Sequence, residues 1–115
     1  MRAQPRALTV ERRQVGHRCV LDVHGALDAA CFRATCDAFL DAIEAGAQQI
    51  WIALPPGDPL PTPAVDALVR LTTLAYELGR STVVVVAVGP RHEALCGEPT
   101  LEVHDSLAAA QRACR

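Results

Sequence analysis

The chain contains no lysine, so all eleven of its basic residues are arginines, scattered from Arg2 to Arg115 with no run longer than Arg12-Arg13. A nucleic-acid footprint needs a clustered basic face, and a net charge of -2 spread this evenly argues against one. Aromatic residues make up only 3% of the sequence, which leaves little from which to build stacking platforms for single-stranded nucleic acid. The longest apolar run, Val83 to Val88, falls far short of the roughly 20 residues that cross a bilayer. The amino terminus carries Arg2 and Arg6 but lacks an apolar signal core and a small-residue cleavage site, so the expected location is the cytoplasm. No GxGxxG, GxxxxGK, CxxC or HxxxH spacing occurs, and neither a cofactor nor a metal is expected.

What is present fits a single α/β domain spanning residues 1–115, with residues 1–7 expected to be loose. Half of the 115 residues are hydrophobic and 21% are charged, near the average for chains that fold alone. The five cysteines, Cys19, Cys31, Cys36, Cys96 and Cys114, are odd in number and without short repeated spacing, which predicts free thiols. Cys31 and Cys36 stand five apart on one helix, about 140° beyond a full turn, and cannot share a metal or a disulfide. Cys36 is expected to fill core.

Hydrophobic periodicity divides the chain into β-β-α-β-α-β-α-β-α. Leu8 to Arg13 alternates like an edge strand, Gln14 to His17 turns around Gly16, and Cys19 to His24 returns in hairpin. Phe32, Cys36, Phe39 and Ile43 then fall four, three and four apart, the stripe of an amphipathic helix from Asp28 to Glu44, with Asp28 as cap and Gly46 as its left-handed end. Ile50 to Leu54 is a compact strand. Pro55 to Pro63, with five prolines, must be a surface loop. The next helix, Pro63 to Leu78, is predicted to bury Ala64, Leu68, Leu71, Ala75 and Leu78, to expose Asp66, Arg70, Thr73 and Glu77, and to end at Gly79. The unbroken β-branched run Thr82 to Val88 reads as the sheet's centre. A short helix at Arg91 to Cys96, a short strand at Leu101 to Val103 and a helix from Asp105 to Ala113, capped by Asp105, complete a mixed sheet of four to five strands with crossover helices.

One place stands out for chemistry. Thr62 precedes Pro63 at a helix start, where its hydroxyl is expected to cap the helix and where a phosphoryl group would meet free N–H groups and the positive end of the helix dipole. The histidines, His17, His24, His92 and His104, are dispersed and cannot be paired with a nucleophile from sequence.

Three segments resemble the STAS domain, shared by anti-sigma factor antagonists and the cytoplasmic tails of sulphate transporters. Val23-His24-Gly25-Ala26-Leu27-Asp28 is similar to the family's Gly-Glu-Leu-Asp turn, with Ala26 in place of the acidic residue. Ile50 to Leu71 follows the family's strand, loop and helix without a gap, ending in Ala67-Leu68-Val69-Arg70-Leu71, and Val83 to Val88 with Gly89-Pro90 is the third match. In antagonists of this family an Asp-Ser-Ser-Gly-Leu type motif carries a serine phosphorylated by a kinase that doubles as an anti-sigma factor. The corresponding segment here is Pro61-Thr62-Pro63-Ala64-Val65: Thr62 keeps a hydroxyl, while Pro61 replaces the aspartate, Pro63 the second hydroxyl residue and Ala64 the glycine. Ala53 stands where a strand-end aspartate is frequent, and the segment after Pro90 is short enough to reduce the third helix to one or two turns.

The resemblance implies a non-catalytic, protein-binding STAS-like domain, an anti-sigma factor antagonist homologue with a degenerate phospho-switch. Its expected partner is a protein, an anti-sigma factor kinase among the candidates. The expected contact surface comprises Asp28, Asp58, Pro61, Thr62, Asp66 and Arg70. Three alternatives stand beside it: a working antagonist phosphorylated on Thr62, a small enzyme using one of the thiols, and a small-ligand carrier.

Overall fold

The computed structural model of the protein describes residues 10–24 and 29–113. Five strands and four helices follow one another as β1 (Val10–Val15), β2 (Arg18–Val23), α1 (Ala29–Glu44), β3 (Gln49–Ala53), α2 (Thr62–Gly79), β4 (Thr82–Val86), α3 (Pro90–Cys96), β5 (Glu102–His104) and α4 (Leu107–Ala113). The strands form one sheet in chain order, with β1 antiparallel to β2 and the remaining neighbours parallel. Each crossover therefore advances by one strand in the same direction. Because such connections are right-handed, this order puts their helices on one face. Only α4, which crosses nothing, is free to cover the other.

The sheet separates two cores by the period-two alternation of its strands. Cys19, Leu21 and Val23 of β2, Ile50 and Ile52 of β3, and Val83 and Val85 of β4 share a cluster with Phe39 and Ala42 of α1, Leu68, Leu71 and Ala75 of α2, and Leu95 of α3. Val20, Trp51, Val84 and Val86 turn the other way and meet Leu107 and Ala110 of α4. Thus β3, rather than the Thr82–Val88 run, is the middle strand, and β4 ends at Val86. The β-branched run reports burial on both faces, which β4 shares with β3, and burial does not distinguish a central strand from its neighbour.

The α1 stripe lies as its spacing predicts: Phe39 is fully buried and Phe32, Cys36 and Ile43 pack against the same core. At its end Gly46, at φ 86°, is followed by bonds from the Gly46 and Ala47 amides to the Ile43 and Ala42 carbonyls, a Schellman closure. The predicted Asp28 cap lies outside the described residues. In α2, Leu78 is not buried as expected but 59% exposed. The helical row continues from Leu71 and Ala75 by a further four to Gly79, where a Cβ would come within 3.0 Å of Ile43 Cγ2 and 3.3 Å of Ser81 Oγ. Gly79 is thus a close-approach residue inside the helix, and Arg80 (φ 57°) takes the left-handed position instead. Its guanidinium lies over the Tyr76 ring, 4.8 Å from the centroid. In α4 the cap is Ser106, whose Oγ accepts the Ala109 amide at 3.0 Å, one residue beyond the expected Asp105.

Where α1 and α2 return to the sheet, one buried side chain ties the two turns together. Ser81, 2% exposed, donates its hydroxyl to the Ala47 carbonyl at 2.7 Å. Ser81→Ala would leave that carbonyl without this donor inside the core. Urea unfolding followed by Trp51 fluorescence is expected to show a loss of about 1–3 kcal/mol.

Candidate functional site

The loop from Pro55 to Pro61 leaves the carboxyl end of β3, the edge at which open parallel sheets place their sites. Its prolines fix φ and remove N–H donors, so it can carry no ladder of its own. Two contacts hold it instead. Leu60 is buried in the larger core. From α3, the Arg91 guanidinium donates to the Pro55 carbonyl (NH1, 2.6 Å) and to the Asp58 carbonyl (Nε, 2.9 Å). Gly57 lies between these acceptors, where a Cβ would stand 2.5 Å from one Arg91 nitrogen. A loop with few donors and many carbonyls is thereby gathered around a five-donor side chain. Arg91 was not singled out in the sequence, because its partners are 33 and 36 residues away and only the β4–α3 connection brings it to them.

At the start of α2 the structure corrects the expected cap. The N-cap is Pro61, no side chain caps the helix, and Thr62 and Pro63 are its first two residues. The Pro61 carbonyl accepts the Ala64 amide at 3.0 Å and the Val65 amide at 3.2 Å. Since Pro63 has no N–H, the Thr62 amide alone remains uncommitted in this turn among the described residues. Being already inside the helix, Thr62 is displaced from the position where its hydroxyl could reach the N2 or N3 amide.

Of the residues expected to form the contact surface, Asp58, Pro61, Thr62, Asp66 and Arg70 are all exposed, and Asp28 lies outside the described residues. Asp66 and Arg70 are one turn apart and share a groove of about 440 Å³ with Cys36, Pro63, Ala67 and Leu71. The groove runs between α1 and α2, starts beside Thr62 and combines an apolar floor with one charge of each sign. Asp58, Pro61 and Thr62 do not line it.

Burial pushes the Cys36 thiol above its ordinary value of 9.0, and the adjacent Asp37 carboxylate adds to this. Burial also raises Cys19, against a smaller opposing effect of Arg12. Both are held protonated near neutral pH. Cys19, Cys36 and Cys96 are free, and Cys96 is exposed with its sulphur 3.3 Å from His92 Nδ1 one turn earlier on α3. The i, i+4 spacing of His92 and Cys96 was available in the sequence and became informative only once α3 was in place. No group of three or more His, Cys, Asp or Glu side chains suited to a metal occurs among the described residues.

The mixed sheet in chain order, with α1 to α3 on one face and α4 on the other, is the STAS fold. A crystal structure of an anti-sigma factor antagonist from Mycobacterium paratuberculosis is similar to it at a TM-score of 0.71, covering 91% of this chain and 92% of that one at 23% sequence identity. No family model and no curated protein matches the chain.

Two outcomes follow. In Arg91→Ala, which removes the two charge-assisted bonds to the Pro55 and Asp58 carbonyls, the backbone order parameters of Gly57 and Asp58 are expected to fall to about 0.6 or below while those of β3 stay at about 0.85; nitrogen-15 relaxation by NMR checks this. In thiol labelling near neutral pH, among Cys19, Cys36 and Cys96 the exposed Cys96 is expected to react first, with Cys36 slower and Cys19 protected until unfolding, as read by mass mapping of labelled peptides.

Proposed function

We propose that the chain is a single cytoplasmic protein-binding domain, an anti-sigma factor antagonist homologue that performs no chemistry and whose phospho-switch is degenerate. The fold supports the antagonist-type regulatory role, as its neighbour is an anti-sigma factor antagonist. The observation that carries the degenerate switch is the first turn of α2. A phosphoryl group on Thr62 would bring about two negative charges to a helix start that offers one uncommitted amide among the described residues, with Asp66 one turn further along the helix. Pro61 also removes the acidic residue and Pro63 the second hydroxyl that the resemblance leads one to expect.

In this reading the contact surface is the exposed loop held by Arg91 together with Asp66 and Arg70 on α2. The proline-rich loop and its guanidinium clamp lower the ordering entropy that binding would otherwise cost. The two raised thiols lie away from thiolate chemistry, which favours binding over a thiol enzyme. No helix among the described residues is long and apolar enough to cross a membrane.

The partner tested is a kinase-type anti-sigma factor encoded in the same genome. Reversing both exposed charges, Asp66→Lys with Arg70→Glu, is expected to weaken its binding at least about tenfold while stability changes by under about 0.5 kcal/mol for each site. Thr62→Ala and Thr62→Glu should bind like the wild type, and the intact mass should stay unchanged after incubation with the kinase and ATP. A gain of one phosphoryl mass on Thr62, with binding lost in Thr62→Glu, would establish a working switch in place of the degenerate one.

A further inference from the structure

The smaller face of the sheet carries a recess unrelated to the loop. Because α4 has only seven residues, it covers part of this face and leaves a trough along its side nearer β1 and β2. Arg13, Arg18, Val20, Trp51, Leu107 and Gln111 line its floor, and Arg18, Ala108, Gln111 and Arg112 line a wider mouth of about 440 Å³. Arg18 and Gln111 belong to both, so the two form one trough.

Three arginines converge there, and they differ in how they are paired. Arg13 is neutralised by Asp22, Nε to Oδ2 at 2.9 Å. Arg18 is half-buried and fixed in place: its guanidinium lies over the Trp51 ring at 4.0 Å from the centroid, and its Nε donates to Gln49 Oε1 at 3.2 Å. The same Gln49 oxygen accepts the Trp51 indole N–H at 3.2 Å, so neighbouring side chains hold both partners of the stack. That arrangement spends one donor of Arg18 and leaves its terminal nitrogens without an acceptor among the described residues. Arg112, in the last turn of α4, makes neither a hydrogen bond nor an ion pair with the described residues. Neither Arg18 nor Arg112 faces a carboxylate among those residues.

We propose that this trough is an oxyanion-binding site for a small phosphorylated molecule, with Arg18 as the preorganised donor and Arg112 as the second arm. Two uncompensated guanidiniums repel one another, and a tetrahedral dianion between them turns that repulsion into paired charge-assisted bonds. Trp51 serves as the plate that keeps the Arg18 fork in one plane, which reduces the rotamer entropy lost on binding. A volume of about 440 Å³ accommodates a phosphate with a small organic body above it. The trough lies on the opposite face of the sheet from α2, so this site stands or falls separately from the protein-binding surface.

The sole tryptophan of the chain sits under the binding arginine and is the natural reporter. Inorganic phosphate, added at constant ionic strength against sodium chloride, is expected to change Trp51 fluorescence saturably and to give a saturable heat by titration calorimetry. Arg112→Gln, which leaves the Arg18–Trp51 stack untouched, should raise the midpoint at least about tenfold, as expected for removing one of two charge-assisted arms. Glycerol 3-phosphate serves as the second probe: tighter binding than phosphate assigns the trough to an ester, equal binding assigns it to the free anion, and both sustain the site. Absence of saturation by both readouts, or an Arg112→Gln midpoint equal to that of the wild type, would overturn it.

Discussion

Ile50 and Ile52 of β3 bury against the α1–α2 layer while Trp51 between them turns to the α4 face, and a strand committed on both sides has no freedom left in position or register. The proline-rich loop and the α4-side trough are both placed relative to it. Its register against β2 and β4 is fixed because a one-residue slip would exchange Trp51 with the isoleucines and overfill one core while emptying the other. Its carboxyl end then delivers the proline-rich loop to one location at the sheet edge. From its middle, Trp51 offers the plate on which Arg18 rests.

This constraint also explains how the loop can do without regular structure. A segment with five prolines within nine residues cannot satisfy itself, and its carbonyls need donors from elsewhere. Arg91 is delivered to that spot by β4 and Gly89-Pro90, because β4 runs parallel to β3 and ends beside it. The Leu54 amide bonding to the Val86 carbonyl at 2.8 Å closes the same edge just below. The clamp is thus a consequence of parallel pairing two elements away. At Gly57 a Cβ would displace the end of the Arg91 side chain, so the glycine matters there for the clamp's geometry rather than for backbone freedom.

How much of this could be read from the sequence follows from the range of the forces involved. The α1 stripe, the exposed Asp66 and Arg70, and the mixed α/β order depend on local periodicity and were legible. Boundaries set by the geometry of one turn were not. Thr62 entered the helix instead of capping it because the Pro61 carbonyl collects the first two available amides, and Ser106 rather than Asp105 reaches the amide that needs it. Leu78 leaves the buried row because the row facing α1 ends on a four-residue step to Gly79, set by how closely Ile43 and Ser81 approach. The Arg91 clamp and the Arg18–Trp51–Gln49 stack join residues more than thirty apart and required the sheet order.

The two ends of the chemistry treat negative charge in opposite ways, and the contrast sharpens the functional reading. At the start of α2, where the resemblance leads one to expect a phosphoryl group, proline has removed a donor, the next two amides are spent on one carbonyl, and Asp66 follows one turn on. On the other face, Arg18 and Arg112 form no ion pair with the described residues and line a volume of about 440 Å³. A helix start that receives an anion poorly suits a surface whose binding is constant rather than switched, with the clamped loop presented ready-formed. The helix start and the trough lie on opposite faces of the sheet, and the strand that carries Trp51 on one face is the strand that feeds the loop at its end.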